Sequence, residues 1–336
     1  MAEIELFLIV IAGIGFDILI GDPEYLIHPV QVIGCYVKKI SNWFIRNFSK
    51  NPTILFWGGF FISITSVSFC YLICKFIEIQ FITSQGDLIF GSIIFFGLSS
   101  CLATRSLISS VKEISFLIEK KYHKNSYQLI QSKVQKIVSR DVSSSSKEDL
   151  LRSATESLTE NSVDGIFAPL FWIFIGTISI KYSMFLPGPL SLGFSYKAIS
   201  TLDSMIGYKN AEFKYLGFFG AKMEDCATYL PARLVALTLP LVSNRKINYF
   251  EILTKVFKDG RKYESPNSGI SEGIFAYIVN LRLGGTNLYA DKLIHKPYIN
   301  VNGNNCDHKS IILISTLIYR LILLWMLVFS SISFIL

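Results

Sequence analysis

Long apolar runs separated by polar blocks organise the chain. A helix needs about 20 apolar residues to cross a bilayer. Thr53 to Ile79 meets that length most cleanly, Ile4 to Ile20 forms an earlier run, and Ile311 to Leu336 closes the chain. Leu88 to Leu102 is shorter and is expected to extend to either side. Ile166 to Phe194 is apolar but interrupted by Lys181 and Pro187-Gly188-Pro189, which predicts a broken or hairpin-like pair of membrane segments. Leu230 to Val242 is too short for a span and predicts a re-entrant or core helix.

The polar stretch between about Ser109 and Asn161 carries helical periodicity. Ile114, Leu117, Ile118 and Tyr122 recur at one face, and Asn125 is placed to cap a second helix running through Val138. Ser143 to Ser146 reads as a turn, with Ser145 and Glu148 in capping-box spacing. In the helix that follows, Leu151, Ala154 and Leu158 share one face, while Arg152, Glu156 and Glu160 share another and can form a ladder of solvated ion pairs. The fold class is therefore mainly α: a polytopic α-helical membrane protein with cytoplasmic helical loops. It is read as a single membrane domain over 1–336, with a cytoplasmic helical loop at about 105–162, polar site motifs within 16–285 and a C-terminal membrane helix at about 311–336. No internal repeat is visible.

Composition supports this. The 336 residues are 51% hydrophobic and only 17% charged, where a soluble domain carries about 25% charge. The net charge of +7 sits beside apolar segments, which is the positive-inside pattern rather than a nucleic-acid-binding one, so no nucleic acid partner is expected. Lys38, Lys39, Arg46 and Lys50 place the 38–51 loop inside, as do the many basic residues from Arg105 to Arg152. The polar motifs then share the cytoplasmic side of an inner membrane. Glu3 and Glu5 in place of a basic start, with no small-x-small cleavage site, predict that the first helix is retained. The six cysteines have neither zinc spacing nor a C-x-x-C and read as reduced thiols.

Several polar groups stand out by position. Asp17 lies inside an apolar run, where a carboxylate is a functional candidate. Gly21-Asp22-Pro23 and His28-Pro29 form a rigid non-helical turn that projects Asp22 and His28 near the membrane surface. Arg140 and Asp141 precede the capped helix; Glu156, Glu160, Asn161 and Asp164 follow along it and into the next turn, with oxygen ligands suited to Mg²⁺. Asp203 and Lys209 come after the hairpin. Arg233 opens an apolar stretch, as a snorkelling anchor or a phosphate grip, and Ser265 and Asn267 lie in a Ser-Pro-Asn-Ser-Gly run suited to turns or anions.

Together these stretches resemble the CobD/CbiB family, the membrane-bound adenosylcobinamide-phosphate synthases of cobalamin biosynthesis. The resemblance rests on FDILIGDPEYLIHPVQVIG, VSRDVSS, ESLTENSVDGIFAPLFW, YKAISTLDSMIGYKN, YLPAR, SPNSG and LRLGG, in that order, from Phe16 to Gly285. Ser200 and Ser144 depart from the family's usual Asn and Gly. The resemblance implies a carbon–nitrogen ligase with ATP as co-substrate and Mg²⁺. It joins aminopropanol, or its O-phosphate, to the f-propionate carboxylate of adenosylcobyric acid. The residues read as catalytic are Asp22, His28, Asp141, Glu156, Glu160 and Asp203. Those read as binding substrate or phosphate are Arg140, Asn161, Lys209, Arg233, Ser265 and Asn267, and Mg²⁺ is assigned to Glu160, Asp164 and Asp203. The competing reading is a transporter or an AmpE-like signalling protein; a transporter predicts matched halves and midplane polar residues, whereas here most ionisable residues lie in the cytoplasmic loops and no repeat appears.

Overall fold

The computed structural model describes residues 2–21, 28–120, 124–207, 213–245, 248–289 and 292–335, without the side chains of 2, 3, 124–126 and 292. The fold is almost wholly helical. Four helices are long and apolar enough to cross a membrane: Pro52–Thr83, Leu88–Glu119, Lys147–Ile180 and His308–Ile335. This is a multi-pass membrane protein. The sequence reads as one domain, whereas the residues cluster as two compact units. One comprises Met1–Arg105, Asp164–Thr228 and Phe329–Leu336, the other Ser106–Val163 and Tyr229–Val328. Each is assembled from separated segments, so no linker or composition shift marks the division.

The first unit holds α1 (Ala2–Leu19), α2 (Pro29–Phe48), α3 (Pro52–Thr83), α4 (Leu88–Ser100), α8 (Ala168–Ile180) and α9 (Pro189–Ile206). α3 packs against α2, α4 and α9, and α1 lies on α4. Val37, Leu55, Ile62, Leu202, Ile206 and Leu216 form a core among α2, α3 and α9. α1 matches the expected first helix but carries three acids and is not among the four long apolar helices. Its Asp17 is buried, and both carboxylate oxygens accept from Thr104 N at 3.1 and 3.2 Å. Asp17 therefore caps the helix that starts there, a structural role in place of the functional one expected. α2 likewise corrects the reading of 28–34 as rigid turn and 38–51 as loop: Pro29 at its first turn and the His28 cap start a helix early.

The predicted hairpin is present as α8 and α9, joined through 181–188. A backbone turn in an apolar region needs internal partners. Glu78 on α3 supplies them: its Oε1 accepts from Leu190 N and Ser191 N at 2.7 and 3.1 Å, and its Oε2 accepts from Ser191 Oγ at 2.9 Å. Lys75, one turn away, donates to Leu186 O and lies 3.7 Å from Glu78.

The second unit contains most of α5 (Thr104–Glu119), α6 (Lys124–Gln135), α7 (Lys147–Ser162), the end of α10 (Phe218–Thr238), α11 (Tyr249–Gly260), α12 (Ser268–Val279) and most of α13 (His308–Ile335). α7 is capped by Ser146, whose Oγ accepts from Asp149 N at 3.1 Å, one residue beyond the expected Ser145/Glu148 box. α6 begins at Lys124 and ends at Gln135 rather than at Val138. Leu230–Val242 is not a separate element but the end of α10 followed by a 3₁₀ turn, Leu239–Val242.

A hairpin of β1 (Leu283–Tyr289) and β2 (Lys292–Ile299) was not expected. Gly284 and Gly285, the end of the LRLGG stretch, suit a turn or an anion cradle by residue type. They instead form an irregularity in β1 at φ +89 and +110, and a Cβ at Gly284 would meet Pro297 O at 2.2 Å. None of the six cysteines is joined in a disulfide.

Candidate functional site

In the second unit α7, α12 and the β-hairpin pack together and enclose charge. Glu156 faces inward and is completely buried, which overturns the solvated ladder. Its Oε2 accepts from Arg140 Nη2 at 2.5 Å, and its Oε1 accepts from Gly284 N at 2.7 Å and lies 3.6 Å from Arg152 Nη1. Arg140 Nη1 donates to Asn287 Oδ1 at 2.6 Å, and Arg152 donates to Gly284 O and Asp149. Two guanidiniums thus lock Glu156 into the strand irregularity that Gly284 permits. Both terminal nitrogens of Arg140 donate to protein groups, so in this structure it positions Glu156. Glu156 is foundation for the same reason.

Beside this foundation lies a second pair. Glu272 on α12 is fully buried, and its Oε1 accepts from Lys296 Nζ of β2 at 2.6 Å. Tyr263 O–H donates to Pro297 O at 3.1 Å and stands 3.5 Å from Glu272 Oε2, with Lys296 4.7 Å above its ring. Burial pushes the Glu272 carboxyl up to about 8; Lys296 pulls against this, while Glu160 and Glu156 push the same way. Lys296 is itself held above its ordinary range: burial lowers it, but Glu272, Glu160 and Glu156 together outweigh that. One ammonium is shared by three carboxylates, and Glu272, the one driven up by burial, keeps its proton beyond the ordinary carboxylate range. Glu160 is half-buried on α7, and among the described residues its carboxylate has no hydrogen-bond or ion-pair partner. Asn287 Nδ2 is likewise buried without a partner among the described residues.

Near the start of α12 lies a third group. Arg233 donates to Tyr229 O and Asn267 Oδ1, each at 2.8 Å, and to Pro266 O at 3.0 Å, with its guanidinium 3.4 Å over the Tyr229 ring. Ser265 Oγ accepts from Asn267 N and Ser268 N, shaping the turn. The Tyr263 ring abuts Gly269, so this turn leads directly to the Glu272 pair.

The remaining expected residues are placed as follows. Asp22 and Lys209 lie outside the described residues. His28 Nδ1 accepts from Val30 N at 3.2 Å as the cap of α2. Asp141 is turned to Ser143 N at 2.8 Å, which holds its carboxyl below the usual range. Asn161 donates to Ser157 Oγ on its own helix. Asp164 and Asp203 belong to the first unit and Glu160 to the second. Asp164, Asp203 and Glu224 lie within electrostatic reach of the buried Tyr196, whose hydroxyl pairs with Thr228 at 2.9 Å. Among the described residues no three His, Cys, Asp or Glu side chains group as a metal site, so the Glu160–Asp164–Asp203 set is not assembled as a cage. Glu272, Lys296 and Tyr263 were missed. The usable signal was Glu272 within the otherwise apolar helix Ile270–Val279.

Residues 10–318 match a family described as CobD/Cbib protein. The protein named Cobalamin biosynthesis protein CobD in Clostridium acetobutylicum is 33% identical over 88% of this chain and 88% of its own length. The protein of the same name in Synechocystis sp. is 34% identical over 84% of this chain and 79% of its own, and Cobalamin biosynthesis protein CbiB of Salmonella typhimurium is 31% identical over 84% and 83%. No solved structure matches.

Proposed function

Because the chain belongs to the CobD/CbiB family of cobalamin biosynthesis proteins, we propose that it is an ATP-dependent amide ligase acting on adenosylcobyric acid and aminopropanol or its O-phosphate. The observation that supports a reaction centre in the second unit is Glu160, without a hydrogen bond or ion pair among the described residues, acting electrostatically on a buried Glu272 with a pKa of about 8, over a locked Arg140–Glu156–Arg152 base.

The chemistry sets three tasks. A carboxylate is a poor electrophile, so its oxygen takes the terminal phosphoryl group of ATP and ADP leaves. An ammonium is no nucleophile, so it gives up a proton before its nitrogen bonds to the acyl carbon and phosphate departs. Negative charge on phosphate needs cations. Glu272 suits the proton transfer, since a base works best with a pKa near the working pH. Lys296 steadies its ionised form. Glu160 faces the ammonium of the amine. Arg233, Ser265 and Asn267 form the phosphate-facing turn, in which the planar guanidinium is oriented by Tyr229 and Asn267.

Mg²⁺ accompanies the nucleotide and offsets phosphate charge. Bound with phosphates it needs only one or two protein carboxylates, and Glu160 would be the hard oxygen donor that the second unit offers it. The Lys/Arg-rich segments support the reading that this centre faces the cytoplasm from the inner membrane.

The test uses the full chain purified in detergent, with adenosylcobyric acid, ATP, Mg²⁺ and each amine in turn. Mass spectrometry should find the amide, with ADP formed in equal amount. ADP release without amide, or neither product with either amine, overturns the reading.

A further inference from the structure

The first unit contains a cavity of about 1010 Å³ bounded by α2, α3, α4 and α9. Among the described residues no Asp, Glu, Lys or Arg lines it, and His28 is the one titratable side chain other than Tyr and Cys in its wall. Its hydroxyl groups are largely engaged within their own helices. Ser66 Oγ donates to Ile62 O at 2.7 Å, Ser92 Oγ to Leu88 O at 2.7 Å and Ser100 Oγ to Gly97 O at 2.8 Å, while Thr65 donates to Phe61 O and pairs with Tyr36. Inward-facing serines therefore leave space without offering donors. A nucleotide, a phosphate or an amide-rich corrinoid would lose its water here and recover few hydrogen bonds from the described walls.

The cavity also opens sideways. Phe69, Ile73, Ile93 and Phe96 line it and are exposed on the outer faces of α3 and α4. Both helices lie within segments long and apolar enough to cross a membrane. The outward stripe of α3 runs on through Trp57, Phe61, Ile64, Leu72 and Phe76, so the opening is continuous with the surface that meets hydrocarbon. An apolar space of this size wastes dispersion contacts if empty, and its walls offer water few of the partners it needs.

We propose that this cavity is a binding site for the acyl chain of a membrane phospholipid, entering between α3 and α4. The lipid is an integral part of the first unit. The chain fills the space beside the start of α2, where Val32 and Ile33 also line the wall, and so supports that helix against α3.

The experiment measures phospholipid co-purifying with the full-length protein in a mild detergent, by extraction and mass spectrometry against protein amount. A stoichiometric phospholipid is expected. In Ser100→Phe, whose ring would fill the space, retention should fall roughly tenfold, and thermal stability should no longer depend on added phosphatidylcholine. The wild-type chain is also photolabelled in detergent with phosphatidylcholine carrying a diazirine on its acyl chain. Labels should concentrate on 65–77 and 92–100. That measurement stands even where Ser100→Phe fails to fold. Absence of retained lipid, undiminished retention in a folded Ser100→Phe, or labels spread evenly along α13 would each overturn the proposal.

Discussion

Each unit buries a Glu–Lys pair, and the two pairs differ in what is left over. In the first unit, Glu78 accepts two backbone N–H groups and the Ser191 hydroxyl, and Lys75 donates to Leu186 O. Those oxygens are occupied and the cation has its carbonyl. In the second, Glu272 is met by Lys296 and by Tyr263 at the limit of hydrogen-bond distance, while two further carboxylates share the same ammonium. Burial and charge are common to both, so neither marks a reaction centre. Unused acceptor capacity does, since a closed pair stabilises structure and an open one can exchange a proton.

The strongest test of that contrast is Glu272→Gln. Turnover is expected to fall by about 10²–10⁴-fold, the usual contribution of a general base, while the membrane level of protein holds. Wild-type turnover should rise with pH towards about 8, as Glu272 ionises, and the variant should lose that limb. Stability should run the other way. A carboxyl raised from 4.5 to about 8 binds its proton in the folded state across a range where the unfolded chain has released it. The folded protein therefore loses stability as pH rises through that window, and Glu272→Gln should flatten the slope in chemical denaturation. An unchanged pH–rate profile would move the base elsewhere.

Glu78→Leu tests the closed pair. Removing one partner of a buried pair costs about 3–5 kcal/mol, so the amount of folded protein recovered from membranes should drop sharply. Turnover per folded molecule should stay near wild type. A selective loss of turnover instead would erase the distinction between the two pairs.

Arg233→Lys should have an intermediate effect. Loss of charged hydrogen bonds is worth about 1.5–3 kcal/mol. It should appear as a raised KM for ATP or for the amine phosphate, with kcat little changed. Unaltered kinetics with both substrates would return Arg233 to anchoring α10 against its neighbouring turn. The smallest effect is expected for Asp141→Asn. That carboxylate serves the Ser143 turn at the protein surface, so steady-state rates should remain close to wild type; a large loss would bring Asp141 back into the reaction centre.

The apolar runs made the spans and the α8–α9 hairpin legible, because length and Pro-Gly-Pro are local signals. Partner choice was not local. Arg152, Glu156 and Glu160 recur with the spacing of a solvated ladder, and only the arrival of Gly284, 128 residues later, shows that Glu156 points inward. Lys296, 24 residues beyond Glu272, lies past the last recognised motif in a strand pair no periodicity announced. Asp17 shows the opposite error. A carboxylate in an apolar helix reads as chemistry until the N–H of Thr104, 87 residues on, is seen to need it. Ser265, Asn267 and Arg233 were found in sequence as separate motifs, and folding brings them together.

The Glu78 arrangement also constrains the order of synthesis. Its acceptors wait for N–H groups that lie 112 and 113 residues downstream. At about 5–20 residues per second, α3 is complete for roughly 6–20 s before α9 emerges from the ribosome. Through that interval the nascent chain carries an uncapped carboxylate in a segment otherwise bound for lipid. α3 therefore has reason to stay with the insertion machinery until the hairpin arrives, and biogenesis of the first unit becomes a single delayed event. Ribosome-stalled chains ending before Pro189 should cross-link to the translocon through α3, and chains extended well beyond Ile206 should release it; equal cross-linking at both lengths would dismiss the delay.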